Sequence, residues 1–271
     1  MNVAEHYGFV TDQDRLRELF FNIHRDPPRE GPGDDASTRR ALNRVVTVTR
    51  VARFVDVGCG PGTQTIALAS AADALVCGLD THSGYLEQLR SRAEAAGWAH
   101  RIVGIQASMF AMPFLPATID LIWAEGSIYI IGFERGLQEW QELLRVGGCL
   151  AVTHLSWLTP EPPDSPRRFW ARHFPAMATV DENLHVALRC GYDVLEHFTL
   201  PSRRGGTTTI SRWSDGSRCC GMRTRRIRRL WRSSTGLNTG NYVLVDGVPV
   251  VSEGKLVEGM ERCEAARGSV K

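Results

Sequence analysis

Apolar and polar positions alternate in blocks along the chain. Short apolar runs at 53–57, 75–79, 101–105, 119–123 and 149–153 are separated by segments of helical period at 63–71, 82–96 and 133–145. Strands covered on both faces read as near-continuous apolar runs, and a strand–helix–strand rhythm predicts a parallel sheet between two helical layers. A helix near 181–189 and a strand over 192–200 (YDVLEHFTL) extend the series. Ahead of it, Leu16, Leu19, Phe20 and Ile23 share one face of a helix expected over 12–24. The turn-rich connector DPPREGPGDDAST then ends in a capping candidate, Asp34 or Asp35, before a helix over 37–46. The expected fold class is α/β: a doubly wound, mostly parallel sheet with N-terminal helices and an irregular C-terminal part. The chain holds no internal repeat.

Composition adds little until it is split. With 43% hydrophobic and 23% charged residues, the 271-residue chain is ordinary for a globular protein that buries a sizeable core. No apolar run approaches the ~20 residues of a membrane helix, and the N-terminus lacks a basic region followed by an apolar one, so a cytoplasmic protein without membrane contact is expected. The seven cysteines (Cys59, Cys77, Cys149, Cys190, Cys219, Cys220, Cys263) follow no metal-ligand spacing and read as free thiols, with no metal site. The net charge of +2 hides an asymmetry: 18 arginines face 24 acids up to residue 201, a balance of −6, whereas 14 Lys and Arg face 6 acids after it, a balance of +8. Two parts are therefore expected, a domain over 1–201 and a basic segment over 202–271.

The chemistry gathers at FVDVGCGPGTQTIALA (54–69). A parallel strand that ends in a glycine turn and opens a helix brings backbone N–H groups up to a ligand where a side chain would block the approach. Dinucleotide folds require G-x-G-x-x-G, but the spacing here is Gly58-x-Gly60-x-Gly62, with Asp56 in the strand end. No Gly-Lys-Ser/Thr follows, which excludes a triphosphate cradle. A second acid, Asp80, ends the next strand (LVCGLD), where a carboxylate can accept hydrogen bonds from both hydroxyls of a ribose. Two acids at neighbouring strand ends, flanking a bare peptide loop, suit S-adenosylmethionine (SAM).

On these residues the chain resembles the class I SAM-dependent methyltransferases over roughly 10–200. VDVGCGPG looks like their first motif, Asp80 their ribose acid, ASMFAMPF (107–114) their adenine-side segment, IDLIWAEG (119–126) their fourth-strand motif, and LLRVGGCLAV (143–152) the turn into their fifth strand. REGPGDDAST (29–38), WAEGSIYIIGFERGLQEW (123–140) and SWL with the later FW pair at 169–170 are similar to a subgroup of small bacterial methyltransferases. The resemblance implies a Rossmann-like fold, and SAM held by Asp56, Gly58, Cys59, Gly60, Gly62, Asp80, Thr81, Ser108 and Met109. It also places Arg29 and the GPG turn at 31–33 over the cofactor carboxylate. One departure stands out: Ser108 occupies an adenine-side position that is often Asp in the family. Its hydroxyl either contacts the adenine amino group or caps the strand end.

Methyl transfer from a sulfonium is an in-line displacement, so alignment and water exclusion outrank any catalytic triad. Glu125, just after the fourth strand, reads either as a base or anchor for an acceptor amine or hydroxyl, or as a cap on the following turn. Tyr129 and Ile128, with Ile130 and Ile131, form either a substrate wall or a buried loop; Trp123 and Trp140 read as core. His154 at the end of the fifth strand is a second candidate base, or a structural histidine. The expected partner is a small-molecule methyl acceptor.

SRRGGTTTISRWSDGSRCCGMRTRRIRRLWRSSTG (202–236) carries ten arginines against Asp215 and shows no helix or strand period. One reading is a nucleic-acid arm over 203–232 with Trp213 and Trp231 stacking on bases, which would make the protein RNA-binding or an RNA methyltransferase; another is a basic tail on an inactive methyltransferase remnant. A third is a frameshift near Ser202. The resemblance implies an acidic Trp/Tyr-rich helix at this point, and GC-rich codons for Glu-Ala-Trp-Trp-Asp-Asp-Tyr-Tyr, read one nucleotide late, spell Arg203 to Ile210. The chain has no lysine before Lys255, which fits such a gene. On this reading the last strand and a substrate-covering helix are missing. NYVLVDGVPVV (241–251) reads as a hairpin about Asp246-Gly247.

Overall fold

The apolar runs become strands of one sheet. The computed structural model describes residues 33–200 and the backbone of 241–248. In chain order the elements are α1 (Asp35–Val46), β1 (Arg53–Val57), α2 (Thr63–Ala71), β2 (Leu75–Asp80), α3 (Ser83–Ala95), β3 (Ile102–Gln106), β4 (Ile119–Ala124), a 3-10 turn (Ile128–Ile130), α4 (Phe133–Gln141), β5 (Leu144–Leu155), α5 (Asp164–His173), α6 (Val180–Arg189), β6 (Tyr192–Thr199) and β7 (Asn241–Val248). The strand order is β3-β2-β1-β4-β5-β7-β6, with every pair parallel. This is the doubly wound α/β fold the pattern predicts.

Period-two alternation divides the core between the two faces of the sheet. Leu121 and Trp123 of β4 join Phe54, Val76, Leu68 of α2, Leu89 of α3, and Leu42 and Val45 of α1. Ile119, Ile122 and Ala124 turn the other way, onto Leu137 and Trp140 of α4 and Leu184 of α6. All six residues of β4 are buried, as a central parallel strand requires. The caps follow local chemistry. Asp34 accepts from the Ser37 N–H at 2.8 Å, and Thr179 and Glu182 form a reciprocal capping box on α6.

Three expectations change. The helix foreseen to 145 stops at Gln141 because β5 begins at Leu144. The register jumps from Ile119↔Leu144 to Leu121↔Cys149, and a side chain on Gly148 would lie 2.8 Å from the Arg145 carbonyl, so the extra residues are taken up in a glycine-dependent bulge. Arg145 then closes the amino edge through Asp120, with Thr49 at 2.6 Å. The hairpin about Asp246-Gly247 does not form: both residues lie inside β7, opposite Thr153 and His154 on one side and Phe198 and Thr199 on the other. Ladders offered by β5 and β6 override the local turn preference. Finally, α5 was not foreseen. The helix expected over 12–24 and the basic segment 203–232 lie outside the described residues, as do Arg29 and Cys219, Cys220 and Cys263. Cys59, Cys77, Cys149 and Cys190 are free thiols. Among the described residues no helix is long and apolar enough to cross a membrane.

Candidate cofactor and acceptor site

Strand order reverses between β1 and β4, and ligands of open parallel sheets bind outside the carboxyl ends of the strands at such a point. The β1–α2 loop begins there. Gly58, Gly60 and Gly62 all have positive φ (70°, 52° and 87°), a region costly to other residues, yet they serve different ends. A Cβ on Gly62, the α2 cap, would come within 2.1 Å of Leu89 Cδ1, so this glycine lets α2 pack on α3. A Cβ on Gly58 would lie 2.6 Å from the Cβ of Ser127, so this glycine admits the turn after β4. A Cβ on Gly60 would meet nothing within 4 Å: here the backbone faces open space, and this is the cradle a ligand can enter.

The two acids also part company. Asp80, half-buried, accepts from the Gly60 N–H through Oδ2 (3.0 Å) and from the His82 N–H through Oδ1 (2.9 Å). It pins the glycine loop to the start of α3, and each oxygen retains a lone pair for a further donor. Asp56 is fully buried, and its Oδ2 accepts from the Thr65 hydroxyl at 2.6 Å. It therefore braces the loop against α2 from beneath. Cys59 is likewise fully buried, and its thiol pKa is pushed well up by burial and then by Asp56 and Asp80. Its side chain lies near Gly78 rather than in the crevice. The side chains of Asp56 and Cys59 and the bare Cα of Gly62 thus shape the loop from inside.

The β2 and β3 exits complete this side. Thr81 is exposed, and its carbonyl accepts from Gln106 Nε2 at 3.1 Å. Ser108, half-buried, uses its hydroxyl to accept from the Phe110 N–H at 3.2 Å, closing the turn that follows β3. The Met109 methyl comes within 3.8 Å of a Cβ built on Gly58, and its carbonyl accepts from the Trp140 indole at 3.2 Å. Trp140 is core, as expected, and also anchors this segment.

Beyond β4 the polar groups are buried and engaged. Glu125 accepts from the Thr38 hydroxyl (3.1 Å to Oε1, 3.0 Å to Oε2) and from the Trp123 indole (3.1 Å to Oε2). Its carboxylate is thus held by α1 and by its own strand. The Gly126 N–H donates to Thr153 Oγ1 (2.6 Å), and the Ser127 hydroxyl donates to the Val57 carbonyl (2.5 Å). Ile128 is fully buried against Gly136 of α4 and Ile131 is buried too, so the expected substrate wall reduces to Tyr129 and Ile130, each about half exposed. His154 is 3% exposed, with its ring stacked on Phe133 (4.5 Å) and edge-on to Phe174 (5.8 Å). Burial lowers its pKa to about 4, so the imidazole is neutral, and its Nδ1 has no hydrogen-bond partner among the described residues.

Ser127, Thr38 and Thr65 were not foreseen. Ser127 has a faint local sign, a Glu-Gly-Ser turn leaving a central strand; the two threonines have none, because their partners lie in other elements.

Residues 54–148 match the model of a methyltransferase domain. The chain is 30% identical over 161 residues to methyltransferase GfsG of Streptomyces halstedii, covering 56% of this chain and 57% of that protein. It is 31% identical over 101 residues to the 27-O-demethylrifamycin SV methyltransferase of Amycolatopsis mediterranei, covering 37% of each. The chain thus spans only 37% and 57% of the lengths of these two relatives. In fold it is similar to a SAM-dependent methyltransferase from Geobacter sulfurreducens solved with S-adenosyl-L-homocysteine, at a TM-score of 0.55 and 20% identity over 65% of this chain and 71% of that one.

Proposed function

We propose that this chain, whose residues 54–148 match the model of a methyltransferase domain, is a class I SAM-dependent methyltransferase that binds SAM at the β1–β2 edge and transfers the methyl group to a small-molecule acceptor. The observation that carries this is the open backbone at Gly60, whose N–H is tied to Asp80. The residues present fit the cofactor: bare peptide at Gly60, where a side chain has room but none is present, and a carboxylate with lone pairs to spare for ribose hydroxyls. Ser108 and Met109 would border the adenine, and Thr81 the ribose rim.

When bound, SAM supplies an electrophilic methyl on a sulfonium, which an acceptor displaces in line. The chain's own residues then have three tasks. Gly58 and Gly60 with Asp80 hold one reactant. The buried turn after β4 and the Tyr129–Ile130 surface bound the space for the other and keep water from it. His154, neutral and with a buried, unengaged Nδ1, is the candidate to accept a hydrogen bond from an acceptor hydroxyl or amine whose entry uncovers it. An O-methyltransferase and a rifamycin-type acceptor among the relatives support a small-molecule substrate over RNA. Free thiols support a reducing, cytoplasmic setting.

The same reading takes 1–201 as the methyltransferase domain and 202–271 as sequence translated out of frame, of which only β7 joins the domain's sheet among the described residues. Reading the gene's other frames downstream of codon 201 tests this, and the absence of a Trp/Tyr-rich acidic peptide there ends it. Calorimetry with S-adenosylhomocysteine tests the main proposal: saturable heat at one ligand per chain is expected. No heat at millimolar ligand would overturn it in favour of an inactive remnant. A screen of metabolites with methyl-labelled SAM then finds the acceptor.

A further inference from the structure

The turn leaving β4 bonds in three directions within three residues. Glu125 reaches back to Thr38 of α1, Gly126 across to Thr153 of β5, and Ser127 to the Val57 carbonyl at the end of β1. Ser127 also fills the space that a side chain on Gly58 would need. One short turn therefore joins the N-terminal helix to the first residue of the glycine loop. It has little slack, because Glu125 and Ser127 are buried and Gly126 sits at φ 74°.

We propose that the 125–127 turn couples the seating of α1 to the shape of the cofactor pocket, with Glu125 a positioning residue that locks α1 down and Ser127 the element that transmits its position to Gly58. This rests on the pocket reading given above. A buried carboxylate must keep its donors, so Thr38 is held firmly at the pocket end of α1. A second polar hold on α1 among the described residues is the exposed Arg40–Glu196 pair (2.6 Å), with the Arg40 guanidinium 3.9 Å over the Phe198 ring. Exposed pairs contribute little. If the pocket takes ligand better with α1 seated, then ligand must hold α1 down by the same factor, since coupling between two equilibria is reciprocal.

The test measures amide hydrogen exchange over 35–46, with and without S-adenosylhomocysteine, and calorimetry with the same ligand. The proteins are wild type, Thr38→Val, Thr38→Ser and Glu125→Gln, with Leu184→Ala as a control that loosens the remote α6 core. In wild type, ligand should slow exchange in α1. Thr38→Val should speed unliganded exchange there and weaken ligand binding about tenfold, or ~1.4 kcal/mol. Thr38→Ser and Glu125→Gln, which keep a hydroxyl and an acceptor, should stay within about threefold of wild type. Leu184→Ala should lower Tm yet leave both ligand affinity and the ligand-induced protection of α1 intact. Wild-type affinity in Thr38→Val, or an equal loss of affinity in Leu184→Ala, overturns the coupling. A wild type that binds no ligand overturns the pocket reading instead, and is told apart from loss of the lock by the unliganded exchange rates of Thr38→Val.

Discussion

The two halves of the sheet's carboxyl edge are built on opposite plans. On the β1–β2 side the open surface is backbone: Gly60 opens onto empty space, and the half-buried Asp80 bonds to main-chain N–H groups on either side of it. On the β4–β5 side the surface is made of side chains that are buried and largely engaged with one another. Glu125 holds Thr38 and Trp123, Thr153 holds Gly126, Asn183 donates to Ser156 at 2.9 Å, and His154 stacks between two phenylalanines. The first plan suits a ligand that is the same in every turnover. The second forms a stiff wall whose shape rests on distant partners, and so can differ between chains that share the first.

Four outcomes would sharpen or break this contrast, the largest first. Gly62→Ala should destabilise the fold by about 4 kcal/mol, combining left-handed strain with overpacking on Leu89, as read by chemical denaturation. A loss under about 1 kcal/mol would mean the loop relaxes freely. Second, burial lowers the His154 pKa from 6.5 to about 4, so the unfolded chain binds the extra proton. This contribution is complete above pH 6.5 and is lost as pH falls toward 4, amounting to about 3 kcal/mol. In His154→Gln the denaturation midpoint should lack that component over the same window. Third, Asp80→Ala should weaken S-adenosylhomocysteine about a hundredfold in calorimetry, or ~2.7 kcal/mol. Unchanged binding would remove the acid from the site. Fourth, Gly60→Ala should cost only about 1 kcal/mol of stability yet weaken the ligand about tenfold, the reverse of the Gly62 pattern. If both variants lost stability alike, the division of labour between the two glycines would be wrong.

The first half was legible in the sequence because its constraints are local. Gly58, Gly60 and Gly62 with Asp56 announce a loop of positive φ under a ligand, and Asp80 lies at the end of the very next strand. Which glycine faces the ligand was not legible, since that depends on Leu89 and Ser127 arriving from other elements. In the second half the local signal misled. Glu125 stands where a base would stand, but its oxygens are taken by a threonine 87 positions earlier and by its own strand's tryptophan. The run at 128–131 reads as one apolar wall, yet a single 3-10 turn sends Ile128 and Ile131 into the core and leaves Tyr129 and Ile130 outside. The Asp246-Gly247 pair carries the strongest short hairpin signal in the chain, and the ladders of β5 and β6 draw it straight.

By itself, then, the sequence determined the order of the strands and helices up to β5, a cap at the start of α1, the double covering of the sheet and the position of the glycine loop. These follow from period, cap chemistry and backbone sterics acting over a few residues. Only the tertiary structure decided which polar groups face a ligand and which hold the fold, because a buried donor or acceptor takes the nearest partner whatever its distance along the chain, and that neighbour is chosen when the layers pack.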